Sequence, residues 1–122
     1  MRFIDALTDC TETTSSATAC FGVGHFAVAD GLVLETALVE CAAQTIAAAL
    51  GQRAKASGKP NAAANGMLVA ATNFQIEARP RAEKTLRIEI RELKRLGLML
   101  MISAVILCEG QKIASGELTL YA

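Results

Sequence analysis

The sequence lacks both a net charge and a long apolar run. Twelve basic and twelve acidic residues cancel, so no overall field attracts nucleic acid, an anionic membrane or a strongly acidic substrate. Hydrophobic residues make up 52% of the chain, but the densest apolar stretch, residues 96–108, is broken by Gly97 and Ser103. At 13 residues it is shorter than the ~20 residues that a spanning helix needs. We therefore predict no nucleic-acid partner and no membrane partner.

Targeting signals are also missing from the N-terminus. Asp5 and Asp9 fall where a secretory signal peptide would have its continuous apolar region. A cytoplasmic location is the resulting expectation. The length of 122 residues fits one compact domain, residues 1–122, rather than two.

Paired cysteines are absent. The sequence has no CxxC motif, and its four cysteines lie far apart, which argues against a disulfide framework and against a metal site. Free cysteines are commonly small core residues. Cys41 is the one candidate nucleophile, but the neighbouring carboxylate of Glu40 would disfavour the thiolate that this role requires. The four are Cys10, Cys20, Cys41 and Cys108.

Histidine occurs once, as His25 in a glycine-rich loop. Glu40 follows fifteen residues later, within an otherwise small and apolar run at residues 38–46. An imidazole accepts protons near neutral pH, and burial favours the protonated form of a carboxyl group, so the two are a candidate acid/base pair. Two plainer interpretations stay open, with His25 as a turn residue and Glu40 as a structural hydrogen-bonding group. Glu35 is interpreted as structural, because a carboxylate in a first helical turn complements the helix dipole.

One long helix dominates the predicted fold. It lies between residues 32 and 57, with Asp30 as its N-cap and stop signals at residues 58–60. Glycine disfavours a helix interior, so Gly51 is an alternative position for the end of the helix. The helix is apolar around much of its circumference, which is typical of a buried helix. Its alanines between residues 42 and 49 would let a curved sheet approach the helix backbone closely.

Strands flank this helix on both sides in the sequence. Alternating apolar and polar residues predict two strands before the helix and four after it. Residues 98–108 are apolar on both faces, which is typical of a central strand. One helix combined with an antiparallel sheet defines the α+β class. The predicted strands are residues 2–10, 17–21, 67–77, 85–94, 98–108 and 111–121, with a turn at residues 11–15.

The order of these elements is that of the hotdog fold, an antiparallel β-sheet wrapped around one long central helix. Two motifs stand out, Gly24-His25-Phe26 and Glu40-Cys41-Ala42-Ala43-Gln44. They resemble those of the bacterial 3-hydroxyacyl-acyl-carrier-protein dehydratases, with further similarity at residues 71–74, Arg79-Pro80 and Gly110. The resemblance extends over nearly the whole chain as a single hotdog domain. The chain also looks close to the dehydratase-like proteins of aryl-polyene pigment gene clusters.

The resemblance implies dehydration of a 3-hydroxyacyl thioester to the 2-enoyl thioester. His25 would be the base that removes the proton next to the carbonyl, and Glu40 would be the acid that protonates the leaving hydroxyl across a dimer interface. Backbone N–H groups of Gly31 and Leu32, at the predicted helix N-terminus, would stabilise negative charge on the thioester oxygen. Gln44, one turn after Glu40, would hold the carboxyl group in position.

The resemblance also implies the partners. The substrate would be carried by an acyl-carrier protein or by coenzyme A, with no other cofactor, and the chain would form a homodimer or a higher even oligomer. Basic residues between positions 79 and 95 could dock an acidic carrier protein, although the intervening acidic residues favour a solvated strand face. The loop at residues 27–31 lacks the prolines usual in the family.

Two other functions stay open. A hotdog thioesterase would use Glu40 to activate water, with His25 in a secondary role, and would release free thiol. A non-catalytic hotdog partner would bind acyl chains or complete a heterodimer, with His25 and Glu40 too far apart to share a substrate. An enzyme of the dehydratase type is the interpretation that the residues favour.

Overall fold

The computed structural model of the chain describes residues 3–56 and 67–121. Its elements are, in chain order, β1 (Ala6–Cys10), β2 (Thr14–Ala19), β3 (Val28–Ala29), β4 (Leu32–Val33), α1 (Glu35–Ala56), β5 (Met67–Ile76), β6 (Leu86–Leu96), β7 (Met99–Cys108) and β8 (Gln111–Tyr121). Six strands form one antiparallel sheet in the order β1-β2-β6-β7-β8-β5. The predicted α+β fold with one long helix is confirmed.

Helix α1 packs on one face of the sheet, where it contacts β1, β2, β5, β6 and β7. Many of its buried residues are alanines, so the sheet lies close to the helix backbone. Gly51 does not interrupt the helix, and the predicted stop signals at residues 58–60 lie outside the described residues. The part of the chain that the structure describes contains no helix both long and apolar enough to cross a membrane. The buried helix residues are Ala37, Leu38, Cys41, Ala42, Thr45, Ile46, Ala49, Leu50 and Ala54.

Strand β7 is central, as its apolar sequence predicts. It pairs with β6 on one side and with β8 on the other. On β6, the residues that face the helix are buried and the alternating residues are exposed on the opposite face of the sheet. We call this opposite face, which no helix covers, the outer face.

The helix begins later than predicted, and the reason is a small hairpin. Asp30 and Gly31 form the two-residue loop between β3 and β4, and both have positive φ angles, 55° and 75°. Asp-Gly is a favoured pair for such a loop because both positions need the left-handed conformation. The prediction that Asp30 caps the helix is therefore wrong, and α1 starts at Glu35.

Arg79 fastens this hairpin to the rest of the fold. Its Nε donates to the carbonyl oxygen of Val33 at 2.9 Å, and its Nη2 donates to those of Leu32 at 3.2 Å and Ala29 at 3.5 Å. The next residue, Pro80, accepts a hydrogen bond from the Val33 amide at 2.8 Å. The guanidinium group of Arg79 is thus engaged within its own chain.

Replacing Arg79 with lysine is expected to lower the free energy of unfolding by about 1–2 kcal/mol, because one ammonium group cannot reach three carbonyl oxygens in the planar geometry of a guanidinium. Urea unfolding followed by circular dichroism measures the change. Arg81→Lys is the matched control, because the Arg81 side chain is exposed. Equal stability of the two variants would contradict the anchoring role of Arg79.

Candidate functional site

His25 lies in the loop between β2 and β3, and its ring is half-buried. The loop is held by two backbone hydrogen bonds, from the His25 amide to Gly22 at 3.0 Å and from the Val28 amide to the His25 carbonyl at 3.0 Å. The His25 ring atom Nδ1 accepts a hydrogen bond from the Ala27 amide at 2.9 Å. Because Nδ1 is the acceptor, the neutral ring carries its proton on Nε2.

Three phenylalanines surround the imidazole ring, and we call the four residues the aromatic cluster. The centroid of the His25 ring lies 4.5 Å from that of Phe26 in a stacked geometry, 5.0 Å from that of Phe21 and 5.8 Å from that of Phe3. Phe21 is 2% exposed, whereas Phe26 is 61% exposed. One side of the cluster therefore belongs to the core, and the other side is open to an apolar ligand.

Glu40 lies on the exposed side of α1. Its neighbours Leu38, Cys41 and Ala42 are buried against the sheet, and the helical turn directs Glu40 away from them. The expectation that the apolar run at residues 38–46 buries Glu40 is therefore wrong for the single chain. Its oxygen Oε1 accepts a hydrogen bond from Nε2 of Gln44 at 3.3 Å, as expected for residues one helical turn apart.

Gln44 links Glu40 to the segment before β1. Its oxygen Oε1 accepts hydrogen bonds from the backbone amides of Phe3 at 2.5 Å and Ile4 at 3.4 Å. The ring of Phe3 in turn packs on His25. A continuous path of contacts therefore runs from Glu40 through Gln44 and Phe3 to His25, although the described chain has no direct hydrogen bond between His25 and Glu40.

Gly31 and Leu32 lie in the β3–β4 hairpin and not at the helix N-terminus. The Gly31 carbonyl accepts a hydrogen bond from the Ala82 amide at 2.9 Å, and Leu32 pairs with Ala29 across the hairpin and bridges to Arg81. The structural basis of their predicted role, helix-terminal amides that bind the thioester oxygen, is wrong. Contact of these two residues with the substrate stays a prediction.

Phe3 is the site residue that the sequence did not reveal. It precedes the first strand, and its contacts reach Gln44, more than forty positions away in the chain. Its only signal was that aromatic residues are scarce, since Phe, Tyr and Trp together make up 4% of the chain. Three of the four phenylalanines lie in the aromatic cluster, so that scarcity could have directed attention to Phe3.

Cys41 is fully buried beside Glu40. Burial, with a smaller contribution from the negative charges of Glu40 and Asp5, raises the pKa of the Cys41 thiol to about 12. A thiol with such a pKa stays protonated near neutral pH, and the thiolate is the nucleophilic form. Cys41 is thus a core residue, whereas Cys20, for which the sequence also predicts a core position, is exposed.

We expect Cys41 to resist thiol reagents between pH 7 and pH 9 in the folded protein, because it is buried and protonated over this range. Cys20 is exposed and should react readily. Alkylation followed by mass spectrometry of the peptides distinguishes the two, and unfolding in guanidinium should make Cys41 reactive. Labelling of Cys41 at the rate of Cys20 in the folded state would contradict its assignment to the core.

The antiparallel sheet packed on one long helix defines a hotdog protein. Several solved structures have this fold. One chain of the dehydratase heterocomplex ApeI:P from Xenorhabdus doucetiae superposes with a TM-score of 0.87 at 18% identity. The match covers 98% of this chain and 82% of the Xenorhabdus chain. The PaaI protein of the E. coli phenylacetic acid degradation operon has a TM-score of 0.77, 12% identity and coverages of 95% and 81%. A hypothetical thioesterase from Streptococcus pneumoniae, solved with coenzyme A, has a TM-score of 0.72, 10% identity and coverages of 95% and 86%.

Sequence comparison identifies the family. The ApeP-like model, described as ApeP dehydratase, matches residues 1–122, and the chain therefore belongs to the ApeP-like dehydratase family. The comparison with curated proteins found no match. The predicted resemblance to hotdog dehydratases is confirmed at the level of the family and the fold.

Proposed function

We propose that this chain takes part in the dehydration of a 3-hydroxyacyl thioester to the 2-enoyl thioester, at a site that it completes together with a second hotdog subunit. The observation that carries the proposal is the path of contacts from Glu40 through Gln44 and Phe3 to His25. It connects the only imidazole of the chain to an exposed carboxylate, and the aromatic cluster lies at its His25 end. Membership of a dehydratase family supports this chemistry.

Dehydration needs a base for the proton next to the carbonyl and an acid for the leaving hydroxyl. We assign the first role to His25 and the second to Glu40. The carboxyl group must be protonated to act, and a second subunit that covers the exposed side of α1 would supply the burial that the single chain does not give Glu40. The acyl chain would lie against Phe26. Gly31 and Leu32, in the β3–β4 hairpin, would contact the substrate beside it.

The second subunit is either another copy of this chain or a different hotdog protein. The ApeI:P structure is a heterocomplex by its own description, which favours a different subunit as the first one to test. The acyl group would be carried by an acyl-carrier protein or by coenzyme A. Arg79 is engaged in anchoring the hairpin, so a basic docking surface for a carrier would have to use the other basic residues between positions 81 and 95.

A second candidate function is supported by the tautomer of His25. A base at Nε2 needs a free lone pair there, but the Ala27 hydrogen bond to Nδ1 leaves the proton of the neutral ring on Nε2. Catalysis by His25 therefore requires the ring to break its hydrogen bond with the Ala27 amide. If it does not, the chain is a non-catalytic subunit that binds the acyl group while its partner supplies the base.

The test is an assay with 3-hydroxyacyl thioesters, in which enoyl product is followed by absorbance and free thiol by a colorimetric reagent. The chain is assayed alone and after co-production with a hotdog subunit of the same organism. Enoyl formation that requires this chain supports the proposal. Thiol release in its place identifies a thioesterase, and failure of the chain to form product or to change the partner's activity contradicts the proposal.

Two His25 variants separate the candidate functions. Asparagine at position 25 keeps an oxygen that can accept the hydrogen bond of the Ala27 amide, whereas alanine removes it. If His25 is the base, His25→Asn and His25→Ala should lose enoyl formation to the same extent. If His25 only supports the loop, His25→Asn should keep the wild-type rate and only His25→Ala should lose activity.

A further inference from the structure

The outer face of the sheet has an apolar row where solvent-facing strands normally have polar residues. Strand β7 alternates buried residues, which face α1, with half-buried residues, which face outward. The apolar residues of this outward row are Met99, Met101, Val105 and Leu107, and Ser103 lies at its middle. No element of the described chain covers them. Apolar side chains aligned on a sheet face are more typical of a surface that packs against another sheet.

Opposite charges lie on either side of this row. In the register of the sheet, Arg91 of β6 pairs with Ser103 of β7, and Ser103 pairs with Glu117 of β8. The three residues therefore lie side by side across the outer face, with the cation and the anion separated by two strand spacings, about 10 Å. Neither charged side chain has an ion pair or a hydrogen bond to the side chains described in residues 3–56 and 71–121.

A surface with this arrangement is complementary to itself. A two-fold axis parallel to β7 and above Ser103 would place β7 of one copy on β7 of another, so that each residue of the apolar row meets its own equivalent. The same rotation exchanges β6 and β8. It brings Arg91 of each copy opposite Glu117 of the partner subunit, twice in the interface.

The shape of the outer face fits this arrangement. A groove of about 460 Å³ lies between β2 and β7. Arg91, Ser103 and Val105 line it together with two carboxylates, Asp9 and Glu89, the second of which is paired with Arg87. In the two-fold arrangement β8 of the partner subunit lies above β6, so the partner's Glu117 side chain would enter this groove beside Arg91. Aligned sheets cross at about 30°, so their strand ends diverge from the centre of contact.

If the two sheets were aligned without any crossing angle, one pair of like charges would oppose this arrangement. Arg87 of β6, Leu107 of β7 and Lys112 of β8 lie side by side across the sheet, so the rotation would bring Arg87 near Lys112 of the partner subunit. Each of these cations is already paired in its own chain, Arg87 with Glu89 at 2.9 Å and Lys112 with Glu77 at 3.6 Å. The divergence of the strand ends also separates them. The central pair of Arg91 and Glu117 therefore decides the orientation.

We propose that the outer face is an interface between two copies of this chain, which pack sheet against sheet about a two-fold axis over Ser103. The apolar row supplies the attraction, and the two Arg91–Glu117 pairs select this orientation. This interface is separate from the exposed side of α1, where Glu40 lies, and it leaves that side free for the subunit that completes the candidate site.

A charge-reversal experiment tests the interface. The mass of the purified chain is measured by light scattering after size-exclusion chromatography for the wild type, Arg91→Glu, Glu117→Arg and the double variant. Each single reversal places like charges opposite each other twice and should halve the mass. The double variant restores opposite charges and should recover the wild-type mass. Lys55→Glu on α1 and Glu12→Arg in the β1–β2 turn are charge-matched controls that should keep the wild-type mass.

Val105→Lys is an independent variant, because it would bring two ammonium groups face to face on the axis, and it should also halve the mass. Circular dichroism confirms that each variant is folded. The proposal is overturned if the wild type has the mass of one chain or if the folded single variants keep the wild-type mass. It is equally overturned if the double variant fails to recover that mass, since another partner would then have to cover the face.

Discussion

Replacing Glu40 with glutamine is expected to slow enoyl-thioester formation at least about 100-fold, since general acid catalysis typically contributes a factor of 10²–10⁴. Glutamine has almost the same shape, and its side-chain oxygen can still accept the hydrogen bond from Gln44. It cannot transfer a proton to the leaving hydroxyl. The exposed position of Glu40 means that the free energy of unfolding should change by no more than about 0.5 kcal/mol. Initial rates of enoyl formation and a urea unfolding curve measure the two effects.

Glu35→Gln is the matched control for this variant, because Glu35 is an exposed carboxylate five residues earlier on the same helix. Its rate should equal that of the wild type. Equal rates for Glu40→Gln and Glu35→Gln would remove Glu40 from the mechanism. The same result would leave the proposed sheet-to-sheet interface untouched, because that interface does not involve α1.

Most of the fold could be predicted from the sequence because its signals are local and periodic. The alternation along β6 predicts a strand with one buried face, and the two apolar faces of β7 predict a strand in the interior of the sheet. The alanine-rich run predicts a buried helix. The start of the helix differs from the prediction because Asp30 is equally suited to an N-cap and to the Asp-Gly loop of a hairpin. The choice is made by Arg79 and Pro80, which bind the hairpin from a distant part of the chain.

The candidate site was harder to predict because its geometry depends on contacts between distant segments. The sequence indicated His25, Glu40 and Gln44 through a motif, but not the position of Phe3 between them. It also did not indicate that the Ala27 amide would fix the tautomer of His25. The apolar surroundings of Glu40 in the sequence predicted burial, yet the neighbours in sequence occupy the other side of the helix. Consecutive residues on a helix point to different sides of it, and only positions three or four apart share a face.

The largest effect on stability is expected from Gly116→Ala, which should lower the free energy of unfolding by about 3 kcal/mol, the upper range for overpacking a core. A Cβ atom at position 116 would lie 2.4 Å from Cδ2 and 2.6 Å from Cα of Phe74. The side chain alone cannot relieve this overlap, since one of the two atoms is backbone. Strand β5 would have to move away from β8, and the melting temperature should fall by roughly 10 °C.

Gly116 has this role because of how β5 pairs with β8. The register shifts between Thr72 and Gln75, Asn73 has a φ angle of 52°, and the Phe74 ring lies directly on Gly116. Gly51→Ala is the control, because a Cβ there meets nothing within 4 Å and alanine favours a helix interior by up to about 1 kcal/mol. It should raise the melting temperature. Adding Phe74→Ala to Gly116→Ala removes the ring but not the Cα, so it should recover only part of the loss caused by the overlap. A Gly116→Ala variant as stable as the wild type would mean that β5 does not pack on β8 as described.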